Sequence, residues 1–122
     1  MKITLEQAVI GFNALQRIGG EKFPIKLAYT LQRNMRLLQP DVKEYEEKRI
    51  ELVKTKYGIK EGENWLITPD KQEAFSKEIE SLTSIEIELD LHTIELDGVS
   101  MDIAPNDLYA LDWMFVDKNL SL

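Results

Sequence analysis

A chain of 122 residues, 43% of them hydrophobic and none of them cysteine, can bury a core without help from disulfides or metals. The lack of cysteine excludes thiolate zinc sites and cysteine nucleophiles, and it is typical of a reducing compartment. The net charge of −7 is unevenly divided, because residues 1–57 carry a net +4 and residues 58–122 a net −11. Such a polarity keeps a protein soluble, and it can also orient a partner or neighbouring copies.

The first predicted helix spans residues 4–18. Thr4 and Gln7 have the spacing of a capping box, in which the hydroxyl accepts from a helical amide and the glutamine reaches back to the cap. Apolar residues at helical spacing follow as far as Ile18, and two glycines then end the helix. We expect this helix to fold back, antiparallel, on the next one.

Residues 24–57 form the longest periodic stretch, and we expect the rest of the chain to be organised around it. Its a/d ladder consists of Ala28, Leu31, Met35, Leu38, Val42, Tyr45, Arg49 and Leu52. Pro40 lies near the middle, where it removes a backbone hydrogen-bond donor. Because the ladder keeps its phase on both sides of Pro40, we predict one kinked helix of about 50 Å and not two helices.

The acidic half begins with a polar segment, residues 59–64, which we interpret as a loop. Thr68, Pro69 and Asp70 then resemble a cap, a first-turn proline and a first-turn acid, and they predict a helix over residues 69–82. The first helix is too short to cover the second half of the long helix. We therefore expect the helix over 69–82 to cover it.

From residue 85 the apolar period changes from three or four to two, which indicates β-structure. We predict a small antiparallel β-meander over residues 85–103, with Asp97 and Gly98 as its clearest turn. Pro105 then opens a last helix over residues 105–115, although Ala104 stands where a capping side chain is usual.

Together these elements predict a single domain over residues 1–122. Its class is α+β, mainly helical: a helical hairpin built on a long central helix, with a small antiparallel β-meander and a C-terminal helix. No apolar run approaches the length of a membrane span, and the first residues do not resemble a signal peptide. We expect no membrane association and a cytoplasmic location.

The chemistry-bearing residues give no pattern of an enzyme. His92 is the only histidine, no G-x-S-x-G motif surrounds a serine, and the glycines lack the spacing of a phosphate-binding loop. Alternate carboxylates on a strand lie nearly 7 Å apart, and the chain has no calcium-loop motif. We therefore predict no catalytic residues, no metal ligands and no cofactor.

Two interpretations of function remain, and both involve protein partners. The first is an acidic face of Glu86, Glu88, Asp90 and Asp102, whose spaced carboxylates can imitate nucleic acid and occupy the basic groove of a nucleic-acid-handling protein. A merely solvated strand face has the same composition. From this acidic face we predict that the chain binds a protein partner and inhibits it.

The second interpretation is self-association, as a homodimer or in a larger assembly. Tyr45, Arg49 and Leu52 stand at the end of the ladder, where the first helix does not reach. Arg49 at an a position suggests that this part of the seam is not dry, because a buried guanidinium needs an acidic partner. The simpler alternative is burial within the monomer.

Direct binding to nucleic acid is disfavoured. The basic residues of the first half are Arg17, Lys22, Lys26, Arg33 and Arg36. They show neither helix-turn-helix spacing nor the interleaved aromatic residues of a single-strand binder, and the chain as a whole is acidic.

Three short segments give the chain a family resemblance. They are residues 23–29 (FPIKLAY), residues 38–49 with LQP followed by YEEKR, and residues 103–108 (IAPNDL). In their order they resemble a group of small phage and prophage proteins that have a proline-interrupted long helix and a terminal P-x-D-L helix. The resemblance covers most of the chain and implies a phage protein that acts in the bacterial cytoplasm, either on a host or phage protein or in virion assembly. It implies no catalytic residues.

Overall fold

The computed structural model describes residues 1–95 and 103–116. In chain order the elements are β1 (Lys2–Thr4), α1 (Leu5–Ile18), α2 (Ile25–Leu52), β2 (Gly58–Glu61), β3 (Asn64–Ile67), α3 (Pro69–Thr83), β4 (Glu86–Glu88), β5 (Ile94–Glu95), α4 (Pro105–Ala110) and β6 (Phe115–Val116). The predicted class is confirmed: the fold is α+β, mainly helical, and is built on a long central helix. No helix in the described ranges is both long and apolar enough to cross a membrane.

Helix α1 begins where the capping box predicted. The Gln7 amide donates to the Thr4 hydroxyl over 3.1 Å, and the Thr4 amide donates to the Gln7 side chain over 2.9 Å. The antiparallel packing on α2 is also confirmed, because the end of α1 at Leu15 shares a cleft with Leu31, whereas its start at Leu5 shares one with Tyr45. The helical hairpin is thus the frame of the fold.

Helix α2 passes through Pro40 without interruption, as predicted, while the bend there stays a prediction. Its buried seam consists of Leu27, Leu31, Asn34, Leu38, Val42 and Tyr45. Leu31 is buried as predicted, but Leu27 and Asn34 are buried in place of Ala28 and Met35. The ladder also ends early, because Arg49 and Leu52 are only half-buried. The last predicted turn, Val53–Tyr57, is a π-helix and not α-helix.

The loop predicted over residues 59–64 is wrong, because β2 and β3 form an antiparallel hairpin there. Ile59 pairs with Leu66, and Lys60 pairs with Trp65. Gly62 has φ = 65°, a conformation that suits glycine at the first position of a two-residue hairpin turn. The polar residues around Gly62 are therefore the tip of a hairpin.

Gly58 joins the π-helical turn to β2, and a side chain there is expected to destabilise the fold. Its amide donates to the Val53 carbonyl group, and a methyl group on Gly58 would overlap that oxygen while also lying 3.0 Å from Trp65. We expect Gly58→Ala to lower the free energy of unfolding by about 1–3 kcal/mol, as overpacking does. Urea denaturation measures this, with Gly20→Ala as the control, because no atom lies within 4 Å of a methyl group at Gly20. Equal stability of the two variants would contradict the prediction.

The pairing within the predicted β-meander over residues 85–103 is wrong for the residues that the structure describes. Strand β4 pairs antiparallel with β1 at the start of the chain, with Ile87 opposite Ile3. Beyond β4, the backbone at His92 is hydrogen-bonded to the Asn34 side chain on α2 and not to a neighbouring strand. The predicted turn at Asp97 and Gly98, and the strand expected to follow it, lie outside the described residues.

The C-terminal helix is shorter than the predicted span of 105–115. Helix α4 ends at Ala110, a 3-10 turn over Asp112–Met114 follows, and β6 then pairs in parallel with β5. No side chain caps α4 at Ala104, which agrees with the weak start expected from the sequence. Leu111 and Met114, both 0% exposed, anchor this segment in the core.

Candidate functional site

The predicted acidic face lies on β4 and just beyond it. Glu86, Glu88 and Asp90 are all exposed, and their alternation places them on one side of the chain. The terminal amino group of Met1 donates to Glu88 over 2.9 Å, and this hydrogen bond holds the pKa of the carboxyl group below its usual range. Glu86 and Asp90 have no ion pair with any described residue. Asp102 lies outside the described residues.

His92 falls within residues 85–103, where a β-meander was predicted. It lies outside the strands, it is half-buried, and its Nε2 atom is buried without a hydrogen-bond partner in the described part of the chain. No three His, Asp or Glu side chains within residues 1–95 and 103–116 are grouped in a way that could hold a metal ion.

The residues proposed for self-association do not form one exposed patch. Tyr45 is buried in the seam of α2, and Leu52 is half-buried. The Arg49 guanidinium has the acidic partner that the sequence called for, since its Nη2 atom lies 2.9 Å from Glu46 Oε2 on the same helix. Tyr45 instead lines another surface, which neither of the two interpretations of function predicted.

That surface is an open groove between α1 and α3, with α2 as its floor. Its apolar lining consists of Val9, Ile10, Tyr45, Phe75 and Ile79. The groove encloses about 550 Å³, and Ile10 in its wall remains 44% exposed. We call it the α1–α3 groove.

The groove is open because α3 does not pack closely on the hairpin. The sequence predicted that α3 would cover the second half of α2, yet no residue of α3 is fully buried. Phe75 meets the Tyr57 ring edge-on at 5.7 Å between centroids, Glu78 pairs with Lys56, and Leu82 packs against the core. The groove lies between these contacts and α1.

Tyr45 forms the floor of the groove and also lines a second cleft of about 220 Å³ on its other side. Burial, assisted by the nearby Glu46 carboxylate, raises the pKa of the Tyr45 hydroxyl, so the group stays protonated at neutral pH. No described residue forms a hydrogen bond with it. Ser76 and Thr83 line the groove as well, so its lining is mixed apolar and polar.

The rim of the groove is acidic. Glu6 on α1 and Glu80 on α3 line it from opposite sides, and both are exposed. Neither forms an ion pair with a described residue, and no Lys or Arg lines the groove. The groove thus combines apolar walls with unpaired negative charge.

Sequence reasoning missed this groove because it follows from how far apart two helices lie, which periodicity does not encode. A usable signal was present in the sequence: Ile10 falls outside the apolar stripe of α1, and Phe75 and Ile79 are one turn apart on α3. No protein-family model matches the chain, and neither a curated protein nor a solved structure was found that matches it.

Proposed function

We propose that this protein is a non-enzymatic interaction module that binds a basic, amphipathic helix of a partner protein in the α1–α3 groove. The observation that carries the proposal is the groove itself, with five apolar residues along its walls and floor and an unpaired acidic rim. Exposed apolar clefts rimmed by polar residues are typical of protein interaction sites. Two helices with a gap between them are the usual receptor for a third helix.

The dimensions of the groove support a helical occupant. The α3 wall runs from Phe75 to Thr83, which is about 12 Å of helix and matches two turns of a bound segment. Apolar residues of the occupant at positions i, i+3, i+4 and i+7 face the walls, and a hydrogen-bond donor at their centre reaches the Tyr45 hydroxyl. Each apolar anchor that is buried contributes about 1.5–3 kcal/mol.

The acidic rim selects the charge of the occupant. Lys or Arg residues flanking its apolar face meet Glu6 and Glu80, whereas acidic flanks are repelled. Basic surfaces of this kind are common in nucleic-acid-handling proteins, because those proteins neutralise phosphates. Together with the resemblance to small phage proteins, this supports a cytoplasmic inhibitor of a bacterial nucleic-acid-handling or defence protein.

A designed peptide tests the groove directly. The probe is a fluorescent 16-residue helix with leucines at the four anchor positions and lysines on both flanks, and fluorescence anisotropy measures its Kd. We expect Ile10→Asn to weaken binding about 10-fold or more, as loss of a central anchor does. Ile50→Asn is the matched control, because Ile50 is also a helical isoleucine, is 42% exposed and lies outside the groove.

The charge of the rim gives a second arm of the same experiment. A peptide with glutamates in place of the lysines is expected to bind at least 10-fold more weakly to the natural protein, and Glu6→Lys with Glu80→Lys is expected to reverse that preference. Equal binding to Ile10→Asn and Ile50→Asn, or a preference of the natural protein for the acidic peptide, would contradict the proposed function.

A further inference from the structure

A second surface lies on the side of α2 that faces away from the core. Ile25, Tyr29, Arg33, Arg36 and Lys43 follow one another at steps of four, three and seven residues, on the side opposite the buried seam. All five are exposed, Ile25 by 86% and Tyr29 by 62%. We call this surface the outer ridge.

The cations of the outer ridge are not neutralised by any acid in residues 1–95 and 103–116. Arg33, Arg36 and Lys43 form no ion pair with any described residue, whereas Arg17 pairs with Asp107 and Arg49 pairs with Glu46. Arg33 and Arg36 stand three residues apart on the helix, where like charges repel each other, and an acidic partner relieves that repulsion. The ridge therefore attracts a negatively charged surface.

The outer ridge also has the composition of a protein contact. Tyr and Arg are enriched at protein interfaces, where they combine apolar area with hydrogen bonding. Tyr29, Arg33, Arg36 and Leu37 line a shallow recess of about 250 Å³ together with Gln32. A recess of this size between an aromatic ring and two guanidinium groups accepts carboxylate side chains.

The same chain carries the complementary surface. Residues 58–122 have a net charge of −11, and within them Glu86 and Asp90 stand exposed and unpaired on the acidic face. No ion pair joins this face to the outer ridge within the described residues. A nucleic acid is a poorer match for the ridge, whose cations show neither helix-turn-helix spacing nor the interleaved aromatic residues of a single-strand binder.

We propose that the outer ridge of one copy binds the acidic face of a second copy, head to tail. Arg33 and Arg36 meet Glu86 and Asp90, and Tyr29 supplies the apolar contact beside them. Because the two surfaces differ, the contact is heterologous, and each added copy leaves one free ridge and one free acidic face. The proposal is independent of the α1–α3 groove, which uses neither surface.

The head-to-tail arrangement is tested by reversing the charge of each surface and by mixing the two variants. Sedimentation analysis at low ionic strength measures the mass of the assemblies. The natural protein is expected to grow in mass with concentration and to return to monomer at 1 M salt, where screening acts within about 3 Å. Arg33→Glu with Arg36→Glu (the ridge variant), and Glu86→Lys with Asp90→Lys (the acidic-face variant), are each expected to weaken self-association at least 10-fold. Mixed together, they combine one natural ridge with one natural acidic face, and their two reversed surfaces are again opposite in charge, so the mixture is expected to regain the growth in mass.

Two control variants distinguish the head-to-tail contact from a general effect of net charge and from binding in the α1–α3 groove. Lys48→Glu with Lys54→Glu changes the net charge as much as the ridge variant but lies outside the ridge, and it is expected to preserve the growth in mass. Ile10→Asn is also expected to preserve it. Circular dichroism checks that every variant keeps the helical content of the natural protein.

Three results would overturn the proposal. The first is a natural protein that stays monomeric at low ionic strength up to millimolar concentration. The second is a mixture of the two variants that stays monomeric. The third is a ridge variant that associates as strongly as the natural protein. A gel shift of duplex DNA that the ridge variant loses would assign the ridge to nucleic acid and would equally refute a second copy as its occupant.

Discussion

Truncation of Leu38 to alanine is expected to lower the free energy of unfolding by about 2–5 kcal/mol, the range found when a buried leucine is reduced to alanine. Leu38 is 0% exposed and lies in the middle of the α2 seam, two residues before Pro40. The proline has already removed a backbone donor there, so packing has to hold the helix continuous. Loss of the isobutyl group leaves a cavity at that position.

Chemical denaturation, monitored by circular dichroism, measures this loss of unfolding free energy. Gln39→Ala is the matched control, since Gln39 is the next residue on the same helix and is exposed, and its effect should stay within about 0.5 kcal/mol. A domain of this size has a total stability of about 5–15 kcal/mol, so the Leu38 variant loses a large part of it. A loss below about 1 kcal/mol would show that the seam is not the core of the fold.

Replacement of Asn34 by leucine is expected to cost about 3 kcal/mol although the new side chain is apolar and similar in size. The Asn34 amide donates to the His92 carbonyl oxygen over 2.8 Å, and its Oδ1 atom accepts from the His92 amide over 2.9 Å. Asn34 is 0% exposed, and the two hydrogen bonds are partly buried, so both backbone groups of His92 lose their partners where water has little access. Each unsatisfied group costs about 1–3 kcal/mol.

Hydrogen exchange at the His92 amide locates this effect. We expect exchange at His92 to become at least 10-fold faster in Asn34→Leu, while amides in the middle of α1 change only as much as the global stability does. Thr30→Ala is the control, because Thr30 also uses its side chain on α2, but only to reach the Lys26 carbonyl oxygen of its own helix. Unchanged protection at His92 would contradict the role assigned to Asn34.

The parts of the fold that local chemistry encodes could be predicted from the sequence. The capping box at Thr4, the continuity of α2 through Pro40 and the proline at the start of α3 all depend on neighbouring residues, and the structure has them where they were expected. The exposed positions of Glu86 and Glu88 followed in the same way from the alternation of β4.

The parts that failed depend on distant partners. Strand β4 pairs with residues at the start of the chain, and β6 forms only because β5 lies beside it, so periodicity within residues 85–115 could not identify either partner. Asn34 interrupts an apolar seam, and its role is visible only once the His92 backbone is known to lie against it. The α1–α3 groove results from the distance between two helices, which no local sequence pattern encodes.

The pairing of β1 with β4 also sets an order of events during synthesis. It joins residues 84 positions apart, Ile3 with Ile87, so β1 leaves the ribosome several seconds before its partner at elongation rates of roughly 5–20 residues per second. The helices α1 and α2 emerge within that interval, and their contacts span shorter loops, which close at lower entropic cost. We therefore expect α1 and α2 to be free to pair before β4 is made, so that β4 is the later of the two strands to dock.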